Sequence, residues 1–236
     1  AEGRIDAAVH SLKDVETIRP DWIALAAILP RADRRDVLLG ASSIASIPQG
    51  ARLGTSAPRR AAQMQNLRPD IEVVLFRGNV ATRMAKLQAG EADVTLLAAA
   101  GLERLGEEGV GTALETGDWL PAPSQGAIGI ECRADDAATR EALAAIDHAP
   151  TRTEITAERA VLEALGGSCH SPVGLLAIAD AGRVALTAAL FSADGAERVD
   201  GETTLDAQDG DGLRAFAADL LSGATPGIAA LFSQNG

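Results

Sequence analysis

Between residues 51 and 106 strand-like and helix-like patterns take turns without interruption. Short apolar runs at 51–54, 71–76 and 92–98 alternate with helical spacing at 57–67, 80–89 and 101–105. Strand and helix in turn predict a parallel sheet with crossover helices. Open α/β sheets take their ligands beyond the carboxyl ends of the strands, so the loops after 54, 76 and 98 are the first places to look for chemistry.

The flanking segments read differently. Residues 5–11 and 22–29 are expected to be short buried strands, set apart from the alternating stretch by the polar run 31–36. Residues 121–126 hold Pro, Ser and Gly and read as a hinge. A strand over 127–132 and helices over 136–148 and 151–165 follow, with Gly166 and Gly167 as the stop. Beyond Ser171 the pattern turns to strands at 173–179 and 183–191 around Asp180-Ala181-Gly182, a tight-turn signal. A third strand near 198–205 and helices over 211–221 and 226–232 complete an α+β unit with an antiparallel sheet.

Composition narrows the function classes. A hydrophobic fraction of 47% in 236 residues excludes wholesale disorder. The longest apolar runs, within 22–29 and 94–102, are too short to span a membrane. A formal net charge of −12 argues against general nucleic-acid binding, and 3% aromatics without tyrosine leave no stacking platform for bases. No secretory signal is visible after Ala1, and a cytoplasmic location is expected. Cys132 and Cys169 form neither a disulfide framework nor a metal spacing.

Within this acidic chain, residues 52–104 hold about eight basic and five acidic side chains. Ser56 reads as an N-cap and Pro58 as a first-turn residue, so Arg59 and Arg60 fall in the first turn of a helix. Arg77 precedes the Gly78-Asn79 turn into the next helix, and Arg83 lies near its start; Arg104 follows the third strand. Free backbone N–H groups, the helix dipole and arginine forks all favour anions at such places. Arginine in preference to lysine suits flat, bidentate targets, carboxylates or phosphates. The plainer reading is surface arginines paired with Asp70, Glu72 and Glu103.

His10-Ser11-Leu12-Lys13-Asp14 follows the first strand directly. Asp14 is either a turn residue capping local backbone or a general acid and hydrogen-bond acceptor for a ligand. His10 reads as a satisfied interior histidine. Cys169 sits in Gly166-Gly167-Ser168-Cys169-His170-Ser171-Pro172, a helix-to-strand loop. On chemistry alone it reads as a buried inert thiol, with covalent attachment as the alternative. Cys132 reads as core.

Several stretches resemble the porphobilinogen deaminase (hydroxymethylbilane synthase) family. They are Asp6-Ala7-Ala8-Val9-His10-Ser11-Leu12-Lys13-Asp14-Val15, Leu53-Gly54-Thr55-Ser56, Arg59-Arg60, and Leu75-Phe76-Arg77-Gly78-Asn79-Val80 with Thr82-Arg83. The resemblance continues in Ala99-Ala100-Gly101-Leu102-Glu103-Arg104-Leu105-Gly106, Gln125-Gly126-Ala127-Ile128-Gly129-Ile130-Glu131-Cys132-Arg133 and Ala157-Glu158-Arg159-Ala160, in the family's order.

The resemblance implies a transferase of tetrapyrrole biosynthesis. It condenses four porphobilinogen molecules into hydroxymethylbilane, releasing ammonia each time, on a dipyrromethane cofactor. It implies two periplasmic-binding-protein-like α/β domains around a cleft and a third α+β domain with the cysteine loop. Here these would be 1–30 with 122–147 (an incomplete first domain), 31–121, and 150–236. The thioether would be at Cys169, reversing the inert reading. Asp14 would be catalytic, handling pyrrole nitrogens and protonation. Lys13, Thr55, Ser56, Arg59, Arg60, Arg77, Gly78, Asn79 and Arg83 would line the cofactor site, and Arg77, Arg83 and Arg104 would bind substrate carboxylates. No metal, nucleic acid or membrane partner is implied, and a monomer is expected.

Departures from the family pattern are Glu16 for a proline, Ala57-Pro58 for Ser-Leu, Pro123-Ser124 for Val-Gly, and Ser168 for a glycine before the cysteine. The family's opening segment, with its Gly-Thr-Arg motif, is not seen before Ala1. The natural protein is therefore expected to continue upstream, and a chain beginning at Ala1 to be poorly soluble and inactive. A two-domain carboxylate clamp without chemistry, and an inactive fragment of the enzyme, stay open as alternatives; the clamp needs the arginines but neither Asp14 nor Cys169.

Overall fold

The computed structural model describes residues 3–107 and 109–232. In chain order, β1 (Ala7–Ser11), β2 (Ile23–Ile28) and β3 (Asp36–Leu39) lead to β4 (Arg52–Thr55), α1 (Pro58–Leu67), β5 (Glu72–Leu75) and α2 (Val80–Gln88). Then come β6 (Val94–Ala98), α3 (Ala99–Glu103), β7 (Thr112–Ala113), β8 (Ile128–Arg133), α4 (Ala137–Ala144) and α5 (Ala149–Ala164). β9 (Val173–Asp180), β10 (Arg183–Phe191), β11 (Arg198–Asp206), α6 (Gly210–Ser222) and α7 (Pro226–Ala229) complete it.

The strands form three sheets, ordered β1-β8-β2, β5-β4-β6-β3-β7 and β11-β10-β9. The middle sheet contains the expected parallel unit, since β4 pairs in parallel with β5 and β6. It is mixed, however, because β3 runs antiparallel to both β6 and β7. β3 was not expected; the sequence reading ended a polar separator at Asp36, which instead opens a fully buried strand. The first sheet corrects a second expectation. β1 is not buried but an edge strand antiparallel to β8, and Val9 on it is 66% exposed.

The expected helix over 136–148 stops at Ala144, because Pro150 belongs to the first turn of a new helix and His148 caps it, accepting from Thr151 N. α5 begins earlier than expected and ends before Gly166, whose φ of +69° suits glycine. The two-residue turn Ala181-Gly182 joins β9 to β10 with both residues at positive φ, matching the twist of an antiparallel pair.

Apolar burial follows the sheets. Val161, Leu165, Leu175, Leu186, Leu190 and Phe216 form the core between α5, α6 and the third sheet. Leu38, Leu53, Met64, Leu96 and Trp119 form that of the second. The first and second sheets are joined by two chain crossings, 29–35 and 120–127, which run side by side. Ala32 N donates to Gly126 O at 3.1 Å, Arg31 Nε to Gln125 O at 2.9 Å, and Gln125 Nε2 to Arg34 O at 2.8 Å. Glu158 of α5 anchors both, accepting from Arg31 Nη1 at 2.8 Å and Ser124 N at 2.6 Å, and also from Ala177 N of β9 at 2.8 Å.

Candidate active site

A cleft of about 390 Å³ opens where the three sheet units meet. Its wall draws Lys13 and Asp14 from the first, Ser56, Arg59, Arg60 and Arg83 from the second, and Cys169 and His170 from the third. Each arrives for a local reason. After β1 the chain makes a single 3₁₀ turn, Leu12–Asp14, in which Leu12 is buried and its N–H donates to Ala127 O at 3.0 Å. Gly129 leaves room for the Leu12 side chain, which an added Cβ would meet at 2.4 Å. With Leu12 fixed inward, Lys13 and Asp14 line the cleft. Arg159 of α5, missed as a site residue by the sequence reading, lines it too. Its Nη2 donates to Glu16 O at 2.6 Å and Thr17 O at 2.9 Å, tying the segment after Asp14 to the helix that leads to Cys169.

Arg59 and Arg60 are in the first turn of α1, as expected, but the N-cap is Ala57 and not Ser56. Proline at the first helical position forces its predecessor into extended backbone, and Thr55 Oγ1 accepts from Ala57 N at 3.1 Å. Thr55 itself is buried. Both arginines are buried, and their anion is neither Asp70, Glu72 nor Glu103. Arg59 Nη2 donates to Asp36 Oδ2 at 2.7 Å and Arg60 Nη2 to Asp36 Oδ1 at 2.6 Å. Trp119 Nε1 and Gln125 Nε2 donate to the same carboxylate, each at 2.8 Å. Burial alone would raise the Asp36 pKa, but the two guanidiniums outweigh it and hold the group well below the usual carboxylate range. Nη1 of each arginine is taken by a carbonyl, Leu120 O or Leu96 O. Each Nε–H is left buried with no acceptor among the described residues.

Arg83 reaches the cleft from α2. Its Nε donates to Gly78 O at 2.9 Å and Nη2 to Ser56 Oγ at 3.3 Å. Asn79 caps α2 by accepting from Thr82 N at 2.9 Å. Gly78, at φ +118°, makes the turn, and a Cβ there would lie 2.7 Å from Thr82 Cγ2. Gly78 and Asn79 thus aim Arg83, and neither lines the cleft. Arg77 and Arg104 are exposed and outside its lining.

Crowding shows in the electrostatics. Burial first, then Arg60, bring the Lys13 pKa down to about 8, against the opposing pull of Asp36 and Asp14. Arg83 is lowered by burial and then by Arg60. Cys169 is exposed, which corrects the buried-thiol reading, and its Sγ lies 3.2 Å from His170 Nδ1. Burial and then the charge of Asp14 push the thiol pKa up. His10 is half-buried, with Nε2 3.2 Å from Glu131. Cys132 is core, as expected.

Two family models match this chain: "Porphobilinogen deaminase, dipyromethane cofactor binding domain" over residues 1–141, and "Porphobilinogen deaminase, C-terminal domain" over 152–214. The porphobilinogen deaminase of Sphingopyxis alaskensis is 57% identical over 237 residues, covering 98% of this chain and 75% of the relative. That of Paracoccus denitrificans is 44% identical, covering 94% and 72%, and that of Roseiflexus sp. 45%, covering 93% and 73%. With both models matched in order and such identity along nearly its whole length, the chain belongs to the porphobilinogen deaminase family.

Proposed function

We propose that this cleft carries out the family's reaction with Asp14 as its proton-handling and charge-stabilising group and Cys169 as the tether of the cofactor. The enzyme condenses four porphobilinogen molecules into hydroxymethylbilane, releasing ammonia at each addition, on a dipyrromethane primer. The residues present fit such a group. It brings several carboxylates, and the cleft offers two buried, acceptorless guanidinium N–H groups beside Lys13 and Arg83. A carboxylate there would sit beside these donors and offset the burial and the Arg60 charge that together lower Lys13 and Arg83.

Lys13, Ser56, Arg59, Arg60 and Arg83 would hold the primer's carboxylates, while Thr55, Gly78 and Asn79 keep these side chains in position. When bound, the primer supplies the free pyrrole carbon that attacks the incoming substrate. Arg83 binds substrate carboxylates as the chain grows, and Arg77 and Arg104 are assigned to carboxylates at the exposed rim. Asp14 accepts a pyrrole N–H, and its charge stabilises the cation left on porphobilinogen as ammonia departs. Buried acceptors would neutralise the arginines, and Asp36 does so only in part, leaving the cleft floor cationic.

We assign three domains, 1–30 with 122–147, 31–121 and 150–236, each supported by one sheet. We also propose a cytoplasmic monomer without nucleic-acid or membrane partners. A net charge of −12 supports the nucleic-acid part, and light scattering on the purified protein tests the monomer. Among the described residues no helix is long and apolar enough to cross a membrane.

One observation carries the assignment: Asp14 and Cys169 share a cationic cleft closely enough for the carboxylate to perturb the thiol. Asp14→Asn keeps the shape and removes the charge. We expect a folded, cofactor-loaded protein with kcat for porphobilinogen consumption down by about a hundredfold or more. A kcat within a few-fold of wild type would make Asp14 structural.

A further inference from the structure

Tethering a pyrrole to Cys169 needs a nucleophilic sulfur, and the surroundings work against one. Burial and Asp14 both favour the neutral thiol, with Glu16 adding to them. The thiolate is the strong nucleophile. His170 touches the sulfur, with Nδ1 3.2 Å from Sγ, and both residues line the cleft. The contact is held by a stapled turn. Ser171 N donates to Ser168 O and Ser168 N to Ser171 Oγ, each at 3.0 Å, and His170 N donates to Ser168 Oγ at 3.2 Å.

We propose that His170 is the base of the cofactor-loading step, taking the Cys169 proton as the sulfur bonds to its first pyrrole. The proposal rests on Cys169 being the tether. Nδ1 must present its lone pair to Sγ, so the ring proton is on Nε2. The thiol proton passes to Nδ1, and Sγ forms a C–S bond to the aminomethyl carbon of porphobilinogen. The C–N bond breaks and its electron pair leaves with ammonia. The imidazolium returns the proton through solvent to that ammonia. One thiol and one protonated aminomethyl pyrrole thus give one thioether and one ammonium ion, with nothing oxidised or reduced. Once the sulfur is a thioether it holds no proton, so the role of His170 belongs to loading.

The test uses the full-length protein made in cells that cannot synthesise porphobilinogen, so that Cys169 is free. Porphobilinogen is added, and intact mass follows adduct formation, with peptide mapping to locate it. In parallel, iodoacetamide labelling of the Cys169 peptide is timed at the same pH in the absence of porphobilinogen. His170→Gln keeps size and polarity but cannot take the proton, and the residue is exposed, so the fold is not at stake. We expect loading and labelling at Cys169 both to slow at least about tenfold. Either rate within twofold of wild type overturns the role of His170, while leaving the tether intact if the wild-type adduct maps to Cys169. An adduct on another residue overturns the tether reading and this proposal with it.

Discussion

Asp36 is the residue on which the cationic floor of the cleft depends. It divides one carboxylate between Arg59 and Arg60 and takes two further donors, Trp119 and Gln125. Removing it leaves two buried guanidiniums unpaired, and Asp36→Ala is expected to cost about 3–5 kcal/mol of stability, read from urea unfolding. The pH dependence has a definite sign. The folded-state pKa lies below the unfolded value of 3.8, so the contribution is full above that value and is lost as pH falls below it. Wild-type stability should therefore decline on the acid side of about pH 4, and Asp36→Asn should flatten that part of the curve. An equal acid slope in the variant would remove Asp36 from this role. Between half-buried Arg83 and exposed Arg77 the cleft discriminates. Arg83→Leu should lower kcat/KM by about 10- to 150-fold, the equivalent of a charge-assisted bond worth roughly 1.5–3 kcal/mol. Arg77→Leu, outside the cleft lining, should cost less. Comparable losses in steady-state kinetics of the two variants would contradict this geometry. Arg59 and Arg60 were legible as anion-seeking because two cations in a helix's first turn need a partner. Their partner was not, because a carboxylate 23 and 24 positions away joins them only through the sheet.

Short elements explain most of what the sequence concealed. β3 has four residues and starts with a charged one, so neither its length nor its polarity announced a buried strand. β1 is legible as a strand but not as an edge strand, since five residues carry no record of how many strands flank them. The alternating stretch from β4 to α3 was plain because repeated switching of period is a strong signal. The two side-by-side crossings were visible only as a Pro-Ser-Gly hinge. Gly126 shows why they sit so close: its φ is +84°, and a Cβ would lie 2.7 Å from Ala32 O. Gly126→Ala should therefore destabilise the protein by at least about 1 kcal/mol, combining a left-handed backbone with a backbone clash. A melting temperature equal to wild type would mean that the crossings separate at little cost.

At the scale of the molecule, three sheets converge so that a turn after β1, the starts of α1 and α2, and the loop after α5 face one cleft. An acidic chain thereby gathers Lys13, Arg59, Arg60, Arg83 and Arg159 around one exposed carboxylate and one exposed thiol. Motif order in the sequence pointed to Asp14 and Cys169 individually. The family resemblance implies one site for both, which the residues read by themselves do not, and neither shows the contribution of Arg159, whose motif gives no hint of its distant carbonyl partners. The central claim is that this cleft builds its product on a primer fixed to Cys169. Intact mass and peptide mapping of the full-length protein, purified from cells that make porphobilinogen, test it directly. The account predicts an added mass of two linked pyrrole units, located on the peptide that contains Cys169 and absent from Cys169→Ser. An unmodified Cys169 in a fully active preparation would contradict it.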